Sequence, residues 1–208
     1  MPIELKSLEA AYREARLASY LRLRGGYPVA LAGMVYWAAL GVWGYSASLG
    51  QWAMAAFWGS GLLFPLAVML SYVFKRPFIG APQAAGSLTA PVLISMLLFW
   101  PMAFAAGAIE AYELIPLILA IGMGLHWPAI GWSYGRSALY TAHAIIRAGL
   151  VLYIFVAFPE HRLTWMPLSV AGVYALSIAG ILLDTARLAR TRPDLVAAPM
   201  SAPRAAAA

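Results

Sequence analysis

The sequence predicts an all-α membrane protein with six transmembrane helices, preceded by an amphipathic helix at the membrane interface. Of its 208 residues, 63% are hydrophobic and 11% are charged, whereas about 25% of the residues of a soluble domain are charged. The apolar residues form six stretches of about 20 residues, the length that crosses a bilayer. The basic residues lie almost entirely in alternate connections between these stretches, as the positive-inside rule requires.

The first predicted unit, residues 1–26, is a cytoplasmic amphipathic helix. Leu5, Leu8 and Tyr12 recur along one stripe, while Arg16 lies toward another face. This pattern is typical of a basic helix at the membrane surface, where it contacts lipids with anionic headgroups. The alternative, a helix that docks a partner protein, stays open. The segment has no apolar run of the signal-peptide type, so we expect the first span to direct insertion.

The second predicted unit, residues 27–188, is a transmembrane domain. Its spans are expected at 27–47, 51–74, 88–107, 114–132, 137–158 and 165–188. Pro65 lies inside the second span and predicts a kink there. The loop that follows Arg76 is long enough to dip back toward the bilayer, although a surface loop is the simpler expectation. Residues 189–208 are rich in arginine, proline and alanine, and they predict a disordered cytoplasmic tail.

The loop charges orient the six spans. One set of connections and termini carries 12 basic residues, whereas the opposite set carries only Arg162, beside Glu110, Glu113 and Glu160. With both termini in the cytoplasm, every loop satisfies the positive-inside rule. The sequence therefore predicts a multi-pass protein of the cell (inner) membrane.

A weak internal echo points to a 3+3 inverted repeat. The end of span 1, WGYSAS at 43–48, resembles the end of span 4, WSYGRS at 132–137. Inverted repeats are common in transporters. Short matches also arise easily in apolar sequence, so the echo does not establish a repeat. Six spans are few to enclose a pathway, and a homodimer is a further expectation that the sequence leaves open.

The candidate site lies where spans 4 and 5 meet. Arg147 is expected about 15 Å into span 5, near the bilayer midplane, because a helix rises 1.5 Å per residue. His143 lies one turn earlier on the same face, and Tyr140 extends that face further. His126, on the antiparallel span 4, is expected at the depth of His143. These four side chains are predicted to line a polar pocket that opens to the cytoplasm.

Five further residues are expected to support this pocket. They are Trp127, Pro128, Tyr134, Glu113 and Asp184. Pro128 is expected to bend span 4 and to free a backbone carbonyl. Glu113 lies toward the far side of the membrane, and Asp184 is closer in depth to Arg136. Neither carboxylate therefore offers a counter-charge at the depth of Arg147.

The missing counter-charge leaves two interpretations open. In the first, Arg147 binds backbone carbonyls freed by prolines, and the histidines are satisfied polar groups of the core. In the second, the positive charge attracts an anionic ligand or lipid headgroup, and the histidines hydrogen-bond the ligand or relay protons. The second interpretation predicts that Arg147 and His143 line a hydrated cavity.

The leading function hypothesis is that the protein binds, conducts or transports a small anionic solute through this pocket. The alternatives are a membrane-embedded enzyme acting on a lipid-borne substrate, with a histidine as acid or base, and a non-catalytic membrane subunit or scaffold. The sequence assigns no catalytic residue, and an enzyme is less favoured. Without cysteine or an intramembrane carboxylate beside the histidines, we expect no metal site and no other cofactor. The net charge of +6 is assigned to the membrane rather than to nucleic acid.

Overall fold

The computed structural model describes residues 2–79, 94 and 97–197, and the regular secondary structure within these ranges is helical. Nine α-helices are found there: α1 Pro2–Arg22, α2 Tyr27–Trp43, α3 Leu49–Val73, α4 Trp100–Ala108, α5 Ile115–Gly122, α6 Trp127–Ser133, α7 Ser137–Ala157, α8 Trp165–Thr191 and α9 Pro193–Ala197. Short 3₁₀ turns lie at Arg24–Gly26, Tyr112–Leu114 and Pro159–His161. The predicted all-α class is thereby confirmed for the described part of the chain.

Within the described ranges, five segments are long and apolar enough to cross a membrane. They are Arg24–Trp43, Leu49–Val73, Tyr112–Ser133, Ser137–Ala157 and Trp165–Thr191. Large apolar side chains such as Trp58, Leu62 and Leu176 are exposed on their outer faces, which suits a lipid environment better than water. The other expected span, 88–107, lies partly outside the described residues, and α4 forms most of its described part. A count of six spans and the inverted repeat stay predictions.

The fourth predicted span is broken rather than merely bent. Helix α5 ends at Gly122 and α6 begins at Trp127, with Pro128 in the first turn of α6. The predicted effect of Pro128 is therefore seen as an interruption at 123–126. In contrast, α3 is assigned as one helix through Pro65. The expected loop that dips toward the bilayer falls mostly on 80–93, outside the described residues.

Glycines let α2 approach α8 closely, and α2 packs against both α8 and α3. A Cβ atom at Gly33 would lie 2.7 Å from the ring of Tyr174, and one at Gly41 would lie 2.5 Å from the side chain of Leu168. Small residues at such positions allow helix backbones to come together in membranes. The α2–α8 contact consequently brings the middle of span 1 against the middle of span 6.

The two terminal segments pack together at one end of the bundle. Leu17 and Leu21 of α1 form a buried cluster with Leu195 of α9. The tail differs here from the prediction of disorder after residue 188, because α8 continues to Thr191 and α9 follows it. Residues 198–208 lie outside the described part. The expected helix at the N-terminus is present as α1, and its last turns contain the buried residues Leu17, Ser19, Tyr20 and Leu21.

Candidate functional site beside a buried arginine

Trp127, at the start of α6, is the centre of an aromatic cluster. The ring of Tyr140 stacks on it with centroids 5.5 Å apart, and Tyr174 meets it edge-on at 5.5 Å. The rings of His143 and His126 lie 4.6 Å and 5.6 Å from the Trp127 ring. The two histidines expected at equal depth on spans 4 and 5 thus contact the same indole.

Arg147 is buried directly beside this cluster, with 1% of its surface exposed. Its Nη1 donates a hydrogen bond of 3.2 Å to the hydroxyl of Tyr174. The guanidinium carbon lies 5.1 Å from the ring centroid of Trp37 and 5.5 Å from that of Tyr174. A Cβ atom at Gly124, in the break of span 4, would lie only 3.2 Å from Nη1. Aromatic faces and a glycine therefore enclose the cation, and such faces attract it.

No carboxylate pairs with Arg147 among the residues that the structure describes. Asp184 instead forms an ion pair with Arg136, with Nε and Oδ2 2.9 Å apart, and Glu113 is exposed. The Nε and Nη2 atoms of Arg147 have no hydrogen-bond partner within the described ranges. Arg147 therefore has no counter-charge among the described residues, as its depth in span 5 predicts. Burying a charge without a counter-charge is costly.

The predicted residues Tyr140 and His143 take part in packing contacts. The hydroxyl of Tyr140 donates a 2.6 Å hydrogen bond to the carbonyl of Gly25, where the chain enters α2. His143 Nδ1 lies 2.8 Å from the hydroxyl of Ser177, which itself donates to the carbonyl of Val173. Because that hydroxyl hydrogen is engaged, Nδ1 of His143 is the donor to Ser177, and Nε2 is left as an acceptor.

A cavity of about 320 Å³ adjoins the aromatic cluster. It is lined by residues of α2, α3, α4, α6 and α8 together with neighbouring turns. His126, Trp127, Tyr134 and Tyr174 belong to its wall, whereas Tyr140, His143 and Arg147 are not among its described lining residues. The space lies between spans 1, 2 and 4 and the described part of predicted span 3. The predicted position between spans 4 and 5 is instead filled by the rings of Trp127 and Tyr174, which separate Arg147 from the cavity.

The cavity wall is mostly apolar and carries positive charge without negative charge. Its polar members in the described part of the chain are Ser60, Arg76, His126, Ser133, Tyr134 and Tyr174. No aspartate or glutamate is among the described lining residues, and residues 80–96 contain none by sequence. Burial raises the pKa of Tyr134 to about 12, so its hydroxyl remains protonated at neutral pH.

Four residues of this region were not predicted from the sequence: Trp37, Arg76, Tyr174 and Ser177. Tyr174 carried a usable signal, since it is the only aromatic residue of span 6 beyond Trp165. Aromatic anchors belong at span ends, and a tyrosine at mid-span needs a partner for its hydroxyl. Trp37 carries the same signal in the middle of span 1. Arg76 had been assigned only to the positive-inside pattern.

The fold and the site together define a helical membrane protein with a buried arginine beside an apolar cavity. The chain belongs to a family of unknown function, DUF7010, whose model matches residues 12–184. The match includes every described residue that lines the cavity and every residue around Arg147. No curated protein and no solved structure shows significant similarity to the chain. The family therefore adds no activity to the physical description.

Proposed function

We propose that this membrane protein binds a small anionic amphiphile in the cavity between α2, α3, α4 and α6. One observation carries the proposal: an apolar cavity of about 320 Å³ has arginine but no carboxylate in its described wall. The ligand combines an apolar body, which suits the aromatic lining, with an acidic group, which suits the charge. The proposal retains the anionic solute expected from the sequence but places it in this cavity rather than between spans 4 and 5.

The size of the cavity sets the size of the ligand. Its volume of about 320 Å³ is roughly twice the ~150 Å³ of an engineered cavity that holds benzene. Ligand pockets begin at about 300 Å³. A chain of about ten carbons with a small acidic group is therefore a suitable probe, and decanoate has this size.

Two arginines, Arg76 and Arg147, supply positive charge at or near the cavity. Arg76 lines the cavity directly, and its Nη1 donates to the carbonyl of Arg22, which holds the side chain in place. Arg147 does not line the cavity itself, but it donates a hydrogen bond to Tyr174, which does. In a medium of low dielectric constant, both charges favour an anion and disfavour a cation of the same shape.

The same proposal covers orientation and transport. Arg22, Arg76 and Arg136 lie at the end of the bundle where α1 and α9 pack, and the positive-inside rule places that end in the cytoplasm of an inner membrane. Transport of the bound anion is the extension of the proposal, supported by the broken span 4, because interrupted helices form binding sites in transporters. A homodimer stays a prediction from the sequence.

The test compares ligands of equal chain length and opposite charge. Purified protein in phosphatidylcholine nanodiscs is titrated with decanoate and with decyltrimethylammonium, with empty nanodiscs subtracted. We expect saturable binding of decanoate that is about tenfold or more tighter than that of the cation. Equal affinity for the two, or no saturable binding of decanoate, would contradict the proposal.

A matched pair of variants locates the binding. Ala129→Phe adds a ring at the cavity wall, whereas Ala142→Phe adds the same ring at an exposed position of α7. We expect the first variant to abolish decanoate binding and the second to bind decanoate as the wild type does. If both variants bind equally well, the ligand lies elsewhere and the cavity is not its site.

A further inference from the structure

We propose that Tyr174 recognises the acidic group of the ligand, and that Arg147 acts on the ligand through the Tyr174 hydroxyl. This inference rests on the proposed function, because it names the wall residue and the chemical group that meet there. It assigns Arg147 the role of a positioning residue and makes Tyr174 the direct contact.

The hydrogen bonds of Tyr174 leave one group of the side chain without a partner. Its hydroxyl oxygen accepts from Trp127 Nε1 at 3.3 Å and from Arg147 Nη1 at 3.2 Å. A hydroxyl has one hydrogen and two lone pairs, so these two donors fill its capacity as an acceptor. The hydroxyl hydrogen has no acceptor in the described part of the chain. Buried donors are nearly always satisfied in proteins.

The position of Tyr174 makes it the link between the arginine and the cavity. Tyr174 and Trp127 both line the cavity, whereas Arg147 is absent from its described lining. The Tyr174 hydroxyl oxygen lies 2.9 Å from where a Cβ of Gly33 would be, and Gly33 is also a lining residue. The unpaired donor is therefore at the wall of the cavity, with the buried cation directly behind it.

This arrangement selects the chemistry of the ligand. A group that can only donate to its partner requires a hydrogen-bond acceptor, and the neighbouring cation favours an acceptor with negative charge. An oxyanion bound to the hydroxyl would lie about 5 Å from Nη1, since the Tyr174–Arg147 bond of 3.2 Å and one of about 2.7 Å meet at roughly 110–120° at the hydroxyl oxygen. Hydrogen bonds in such a chain polarise one another. The acidic group is accordingly a carboxylate or a phosphate.

Arg76 offers the competing orientation, because it lines the same cavity and carries a full charge. An amphiphile held by Arg76 would place its acidic group near the end of the bundle that holds α1, with its apolar body directed inward. The inference requires the opposite orientation, with the acidic group on Tyr174. Substitutions at the two residues therefore separate the two orientations.

The experiment measures the affinities of decanoate, decyl phosphate and 1-decanol in phosphatidylcholine nanodiscs. Tyr174→Phe keeps the ring against Gly33 and removes only the hydroxyl. We expect it to weaken both oxyanions about tenfold or more, as for loss of a hydrogen bond to a charged group, and decanol less than about threefold. Arg147→Met, which leaves the hydroxyl in place, is expected to weaken the oxyanions selectively as well. The relative affinities of the two oxyanions identify the preferred headgroup.

The outcomes separate this inference from the proposed function. Decanoate binding no tighter than that of decyltrimethylammonium removes the proposed function and this inference with it. If the wild type prefers the anion but Tyr174→Phe keeps that preference while Arg76→Gln loses it, only the inference fails. Equal weakening of all three ligands by Tyr174→Phe would show a structural role and would also overturn it. Should Tyr174→Phe fail to fold, the selectivity of Arg147→Met decides.

Discussion

Two arginines of the same helical segment are treated differently by the fold. Arg136 immediately precedes α7, is partly exposed and forms an ion pair of 2.9 Å with Asp184. Arg147 lies further along α7, is 1% exposed and has no acidic partner among the described residues. Each has an aromatic ring beneath its guanidinium, Tyr20 for Arg136 and Trp37 for Arg147.

The comparison shows where the chain places its negative charge. A carboxylate accompanies the partly exposed arginine, whereas none of the described carboxylates accompanies the fully buried one, for which desolvation costs more. A buried charge without a partner lowers stability, and such costs are commonly found at functional sites. We infer that Arg136 stabilises the fold and that Arg147 serves the cavity.

The largest effect is expected on removing the ring that faces the buried arginine. Trp37 is 1% exposed, and a tryptophan-to-alanine change in a core costs about 3–5 kcal/mol. Trp37→Ala should lower the stability of the protein by this amount in thermal or denaturant unfolding in detergent. Trp58→Ala is the matched control, because Trp58 is exposed on α3, and it should change stability by less than about 1 kcal/mol. Equal losses of stability in the two variants would contradict a stabilising role for the buried Trp37 side chain.

The second-largest effect is expected to be a gain in stability. Arg147→Met replaces a buried charge with an apolar side chain of similar length, a type of change that is often neutral or stabilising by about 1–4 kcal/mol. Unfolding of this variant in detergent should occur at the wild-type temperature or above it. A clear drop in melting temperature would mean that Arg147 holds the bundle together, as a structural residue does.

A smaller effect is expected at the partly exposed member of the comparison. Arg136→Met should destabilise the protein by about 1 kcal/mol, the usual upper contribution of an ion pair near the surface. Asp184→Asn should have a similar effect, and the double variant should be little worse than either single one. Raising the salt concentration should reduce the difference from wild type. A loss of several kcal/mol of stability in either single variant would contradict this prediction, because only a buried ion pair has so large an effect.

The smallest effect concerns Arg192, which is exposed and pairs with both Glu14 and Asp194. The hydrogen bond from Arg192 lowers the pKa of Asp194 below its ordinary value. A lowered pKa stabilises the folded state above the unfolded pKa of about 4, and the contribution is lost as pH falls through the folded value. The protection factor of the α9 amides, in which the pH dependence of intrinsic exchange is divided out, should thus fall as pH is lowered below about 4. Asp194→Asn should show low protection at every pH, and a wild-type protection factor that does not change with pH would contradict the role of this pair.

Much of the helical layout was predictable, because apolar stretches of bilayer length and loop charges depend only on local sequence. The same reasoning placed His126 level with His143 and left Arg147 without a carboxylate. Depth along a helix is fixed by a constant rise per residue, so it can be counted. The break at 123–126 followed the proline signal at Pro128, although its extent exceeded a bend.

The cavity could not be located in this way, since it depends on which helices become neighbours. Trp37 and Tyr174 lie far from Arg147 in sequence, and the close approach of α2 to α8 over Gly33 brings them together. Helix rotation and packing partners decide whether a polar face borders a cavity or an aromatic ring. The described cavity consequently lies beside Trp127 and Tyr174 rather than between spans 4 and 5, where the sequence predicts a pocket.

The most direct test of the central claim, that Arg147 acts on the cavity through Tyr174, is a double-mutant cycle on decanoate affinity. Wild type, Arg147→Met, Tyr174→Phe and the double variant are titrated in phosphatidylcholine nanodiscs. The double variant is expected to lose clearly less affinity for decanoate than the sum of the two single losses, because Arg147 acts mainly through the hydroxyl that Tyr174→Phe removes. Losses that simply add would mean that the two residues act independently, and the claim would be wrong.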